Sequence, residues 1–131
     1  LIEEPHKEMF QKTAESMTPD YHATENSLYG FDHCTIGFFL ARNWNFSEDL
    51  SSAIAFHHYP DQEAEQSDLI RIVCSADLVA HLVFSESDEG RIAEILENEV
   101  QLPVELSRRA LEEVVVGLKQ EIGDSQAFLG I

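Results

Sequence analysis

The stretch from Asp32 to Pro60, DHCTIGFFLARNWNFSEDLSSAIAFHHYP, predicts two helices joined by a short turn. Asp32 stands as the N-cap of the first, which runs to about Trp44, because a short carboxylate can accept the orphan N–H groups of an opening turn. Positions 33, 36, 37, 40 and 44 recur at helical spacing and put His33, Ile36, Gly37, Leu40 and Trp44 on one face. Glycine in mid-helix costs about 1 kcal/mol relative to alanine. Close approach of another helix is what would compensate for Gly37. Ser47 caps the second helix, with Glu48 and Asp49 in the first turn, where the helix dipole favours anions. His57 follows Leu50 by seven residues and His58 follows Ile54 by four, so both imidazoles fall on the apolar stripe. Pro60 stops the helix.

The rest of the chain carries the same helical signal. Pro5 can open a first helix with Met9 and Phe10, and Thr18-Pro19-Asp20 has the form of an N-cap followed by proline at the first helical position. Gly30 ends that second helix. A fifth helix from about residue 63 to 84 is the most apolar, with Ile70, Val73, Asp77, Ala80 and Phe84 on one face and Leu69, Ile72, Ala76, Val79 and Val83 beside it. Such a helix is expected at the centre of the fold. After a turn at Asp88-Glu89-Gly90, a sixth helix spans about 91 to 100. Pro103 opens a seventh through Leu106, Leu111, Val115 and Leu118. No segment alternates apolar and polar residues, and no Asn-Gly or Asp-Gly hairpin signal occurs. The expected fold is all-α, with six or seven helices in a single domain over residues 1–131.

Composition narrows the function. Eight Lys+Arg against 25 Asp+Glu give a formal net charge of −17. A field of that sign repels phosphate backbones and anionic bilayers, so neither nucleic acid nor membrane is an expected partner. Cys34 and Cys74 lie in apolar helical stretches and read as buried free thiols, which fits a reducing cytosol. Neither has an evident basic neighbourhood to activate it, and no glycine-rich phosphate loop is present. The chain begins Leu1-Ile2 and reads as the C-terminal portion of something longer.

The chemistry-bearing residues are His33, His57, His58 and Asp77. Imidazoles and a carboxylate projecting from neighbouring helices are the donor set of zinc, iron or manganese in helical proteins. Asp77 on a greasy face would need a partner: a metal, a histidine or a helix N-terminus. The other reading is a hydrogen bond from Asp77 to His57 or His58 that fixes a tautomer and ties helices together, with His81 one turn away as a further partner. His6 and His22, in polar segments, are expected to be exposed. Trp44, Phe38, Phe39 and Phe56 read as packing residues.

The run Tyr29-Gly30-Phe31-Asp32-His33, then Ile36-Gly37, Leu40, Trp44, Phe46, Leu50, Ala53-Ile54 and His57-His58-Tyr59-Pro60, resembles the HDOD family, as does Ser75-Ala76-Asp77-Leu78-Val79-Ala80. These are HD-related output domains of bacterial signalling proteins, within the HD and HD-GYP phosphohydrolase superfamily. The resemblance implies an HD-domain-like helical bundle. In the active branch it matches His33, His57, His58 and Asp77 to metal-binding positions. The His-Asp dipeptide of that branch occurs nowhere here, Tyr59 stands where a glutamate follows the His-His pair, and no Gly-Tyr-Pro motif follows. The resemblance therefore implies a non-catalytic, cytoplasmic signal-transduction module that binds a protein or small ligand. Its implied partners are receiver, GGDEF or EAL domains, and a homo-oligomer is compatible with it. No resident cofactor is expected, with a vestigial zinc, iron or manganese ion at His33, His57, His58 and Asp77 as the exception. The competing expectation is a metal-dependent phosphohydrolase acting on a nucleotide or cyclic dinucleotide.

Overall fold

A computed structural model describes residues 4–15, 21–59, 67–86, 88–100 and 102–130. Among them are seven helices and no strand: α1 (Glu4–Ala14), α2 (Tyr21–Tyr29), α3 (His33–Asn43), α4 (Glu48–Phe56), α5 (Asp68–Ser85), α6 (Glu89–Asn98) and α7 (Arg108–Leu129). The expected all-α class is observed. No described helix is long and apolar enough to cross a membrane. The Thr18-Pro19-Asp20 cap, Pro60 and the expected first turn of the fifth helix lie outside the described residues. The chain forms two compact units, Leu1–Cys74 and Ser75–Ile131.

The first unit is built on the α3–α4 hairpin. Asp32 caps α3 by accepting from the Thr35 backbone N–H at 2.8 Å, and Ser47 caps α4 by accepting from the Leu50 N–H at 3.3 Å. Asn45 adopts φ 58°, with its own N–H reaching the Arg42 carbonyl and the Phe46 N–H reaching the Ala41 carbonyl. This pair of bonds closes α3 as a Schellman motif, with asparagine in the left-handed position. Gly30 terminates α2 with φ 79°, as its position suggested.

The buried face of α3 differs from the one expected. Ile36, Leu40 and Trp44 are exposed, while Cys34 and Ala41 are buried and Gly37 lies between them in the helical row. Small side chains decide the register: cysteine, glycine and alanine let α4 approach more closely than leucine or tryptophan would. α4 answers with buried Ser51 and Ala53 and half-buried Ile54. A Cβ added at Gly37 would sit 2.6 Å from Ile54 Cγ2, so the close approach expected of this glycine is present. Phe39 (67% exposed) and Trp44 (62%) face solvent, against the expectation that they pack.

The remaining boundaries move for local reasons. α4 ends at Phe56, and His57 and His58 occupy the following turn, closed by a Tyr59 N–H to Phe56 carbonyl bond of 2.8 Å. The residue before a proline disfavours the α region, so the helix unwinds ahead of Tyr59-Pro60. α7 starts after Ser107, whose hydroxyl accepts from the Ala110 N–H, and not at Pro103.

In the second unit Val79, Leu82 and Val83 of α5 pack with Ile92, Ile95 and Leu96 of α6 and Leu111 and Val115 of α7. Lys119 donates to the Glu86 carbonyl at 3.0 Å, covering an acceptor just past the end of α5. α5 is apolar but one-sided: Ile70, Cys74, Val79, Leu82 and Val83 are buried, whereas Ile72, Asp77 and Phe84 are exposed.

The α3–α4 contact gives a test of opposing terms. Gly37→Ala gains about 1 kcal/mol of helix propensity but forces an overlap costing about 1–3 kcal/mol. The expected result is a net loss of about 1 kcal/mol in chemical denaturation. Ile54→Leu removes the branched methyl and should recover stability in the Gly37→Ala background. If the second change brings no recovery, the overlap is not the cause.

Candidate metal centre

The α3–α4 hairpin is antiparallel, so the N-terminus of α3 meets the end of α4. His33 is the first residue of α3, and His57 and His58 follow the last residue of α4. One ligand atom from each of His33, Cys34, His57 and His58 lies within 4.8 Å of every other. His33 Nε2 is 3.4 Å from His57 Nε2 and 3.1 Å from His58 Nε2. Cys34 Sγ is 3.5 Å from His33 Nε2 and 3.9 Å from His57 Nδ1. The thiol is buried at 3% exposure, the His33 side chain is 41% exposed, and the other two imidazoles are half-buried. The cluster therefore has a sealed floor and an open side.

Two consecutive residues of α2 hold the start of α3. Glu25 Oε2 accepts from the His33 backbone N–H at 2.8 Å and from His33 Nδ1 at 2.6 Å. The Asn26 side-chain amide donates to Asp32 Oδ2 at 2.7 Å, while the Thr35 hydroxyl donates to Asp32 Oδ1 at 2.8 Å. Burial works to raise the Asp32 carboxyl pKa. Hydrogen bonds from the Thr35 N–H, the Thr35 hydroxyl and Asn26, with the charge of His33, outweigh it and hold the carboxyl below its ordinary value. α1 supports α2 in turn, through the Thr13–Thr24 hydroxyl contact of 2.7 Å and the edge-on rings of His6 and Tyr29.

The partners fix tautomers. A carboxylate oxygen can only accept, so neutral His33 carries its hydrogen on Nδ1 and presents a lone pair at Nε2. His57 Nδ1 lies 3.0 Å from the Ile54 carbonyl, which also only accepts, so its Nε2 presents a lone pair as well. Two acceptor nitrogens thus face each other at 3.4 Å. His58 Nε2, 3.1 Å from His33 Nε2, can donate to that one lone pair, whereas a cation between the rings would satisfy all of these nitrogens together.

Three of the four expected residues, His33, His57 and His58, meet in the first unit. Asp77 sits on the part of α5 that belongs to the second unit and is exposed. Solvent covers its charge, so the burial penalty that demanded a partner for it does not arise. Cys34 was missed. It stands between His33 Nε2 and His57 Nδ1, which corrects the expectation that neither cysteine has a basic neighbourhood. Glu25 was missed too, since its partner lies eight residues on, beyond the Gly30 turn. His22 is half-buried instead of exposed, stacked on His58 at 4.9 Å and edge-on to Tyr59 at 4.6 Å. His6 is likewise half-buried. Cys34 and Cys74 are buried and not joined in a disulfide, as expected.

A family model described as the HDOD domain matches residues 1–60, which contain α1 to α4 and the whole cluster. No curated protein and no solved structure matches the chain.

The Asp32 network predicts a pH dependence with a defined sign. A carboxylate whose folded pKa is lowered adds stability above its unfolded value, about 3.9, and that contribution is lost as pH falls through the folded value. Asp32→Asn keeps a competent cap and removes the charge. It should cost about 1 kcal/mol at neutral pH, with the gap to wild type closing in acid. A gap that stays constant from pH 7 to strong acid would show that the charge of Asp32 contributes nothing.

Proposed function

Residues 1–60 match the HDOD family model, and from that match we propose that the protein is a non-catalytic regulatory module of cytosolic bacterial signalling that acts by binding another protein. The exposed apolar surface of the α3–α4 hairpin carries this reading. Ile36, Phe39, Leu40 and Trp44 on and just after α3, Phe46 in the turn and Leu50 on α4 are all exposed. Single exposed apolar residues are ordinary, but six on one hairpin are characteristic of an interaction surface. The net charge of −17 argues against a polyphosphate ligand for the same surface. By family resemblance the partner is a receiver, GGDEF or EAL domain, and the bound state would shift a population between conformations of the signalling assembly.

The histidine cluster favours a second reading, a metal-dependent phosphohydrolase acting on a nucleotide or cyclic dinucleotide. There a metal held by His33, His57 and His58 would supply an activated water. The absent His-Asp dipeptide and Tyr59 in the place of glutamate weigh against it.

Trp44 is the single tryptophan of the chain, so it reports directly on its own surface. Titration with purified receiver, GGDEF and EAL domains from the same organism should give a saturable blue shift of its emission with one of them. Phe39→Asp should abolish that shift. If none of the three classes produces a saturable change, the partner assignment is wrong. In parallel, cyclic di-GMP and bis(p-nitrophenyl) phosphate supplied with zinc, manganese or iron(II) should not be cleaved above the metal blank. Turnover that disappears in His57→Ala would establish the hydrolase instead.

A further inference from the structure

We propose that His33, Cys34, His57 and His58 form a closed three-histidine, one-thiolate zinc site in which Glu25 positions His33, and that this site locks the open end of the α3–α4 hairpin. The inference is independent of which protein the module binds.

The donor spacing supports it. A tetrahedral zinc with Zn–N of about 2.0–2.1 Å and Zn–S of about 2.3 Å sets N···N edges of about 3.3 Å and S···N edges of about 3.5 Å. The observed spacings are 3.4 and 3.1 Å between imidazole nitrogens and 3.5 Å from Cys34 Sγ to His33 Nε2. The three edges that meet at His33 Nε2 therefore already have tetrahedral length, and all four donors lie within 4.8 Å of one another. The convergence of lone pairs is a second, separate sign: in their neutral forms His33 and His57 carry hydrogen on Nδ1 and turn both Nε2 atoms toward the same point, as ligation requires.

The chemistry of the set selects the metal. Three imidazoles with a thiolate are borderline-to-soft donors that suit zinc and disfavour magnesium or calcium, which require oxygen ligands. The Glu25–His33 contact at 2.6 Å is the carboxylate–histidine arrangement that orients a metal-bound imidazole and raises its basicity. Binding displaces the Cys34 thiol proton to solvent and leaves every other covalent bond unchanged.

The full chain, stripped with a chelator, tests the assignment with cobalt(II) and zinc as the probes. Cobalt should bind one-to-one and give the strong visible bands of tetrahedral coordination together with a thiolate-to-cobalt charge-transfer band in the near ultraviolet. Added zinc should bleach both. Cys34→Ser should lose the charge-transfer band, and Glu25→Gln should weaken zinc affinity about 10–100-fold. Asp77→Asn should leave the spectrum unchanged. X-ray absorption of the zinc-loaded wild type should show one sulfur among three nitrogens, and this measurement holds even if a variant fails to fold. A purely nitrogen-and-oxygen shell, a weak octahedral cobalt spectrum, dependence on Asp77 instead of Cys34, or no saturable uptake would each overturn the proposal.

Discussion

The contact between Gly37 and Ile54 is the constraint on which the first unit depends. With no side chain at position 37, α3 and α4 approach until a Cβ there would overlap the Ile54 methyl. Antiparallel helices at that separation must bring the start of one beside the end of the other. His33 and Cys34 therefore meet His57 and His58 across 24 residues of chain without either pair sitting on a long flexible segment. Had leucine and tryptophan occupied the interface, as the broad apolar stripe of α3 suggested, the helices would stand farther apart. The imidazole nitrogens would then fall outside ligand distance.

The same choice of small residues has a second effect. Turning Cys34, Gly37 and Ala41 inward turns Ile36, Phe39, Leu40 and Trp44 outward. The close hairpin and the exposed apolar surface are therefore one feature seen from two sides. Burying those large side chains within the unit would return roughly 1.5–3 kcal/mol each. Leaving them in water is tolerable because the capping at Asp32, Ser47 and Asn45 and the tight helix contact stabilise the hairpin locally.

Local signals were legible in the sequence, and relations across turns were not. Asp32 and Ser47 as caps, Gly30 as a terminator and Gly37 as a close-approach point all follow from backbone chemistry within a few residues. The inward face of α3 was misplaced by one position, because apolar periodicity marks where large residues recur and does not register that small ones can form a tighter contact. His57 and His58 fit a helical stripe by spacing, yet the proline two residues beyond them ends the helix first. Cys34 was invisible as a ligand because neighbours on a helix diverge by about 100°. The N-terminal turn, with His57 reaching over it, cancels that divergence. Glu25 needed the turn at Gly30 to be drawn before its carboxylate could be placed against His33.

These relations bear on what the cluster can do. A hydrolytic metal needs protein ligands plus an open position where water is activated. Three imidazoles and a thiolate complete a tetrahedron and leave no such position, so a thiolate at Cys34 converts the donor set from a reaction centre into a clamp. The clamp would join two dipeptides, His33-Cys34 and His57-His58, at the end of the hairpin opposite the Trp44–Ser47 turn, with Gly37 holding the middle. A hairpin fixed at turn, middle and open end presents its outer face as a rigid surface. Rigid presentation lowers the ordering cost of docking a partner. Metal-linked stability and protein recognition would then be properties of one pair of helices, with the histidines serving recognition through geometry.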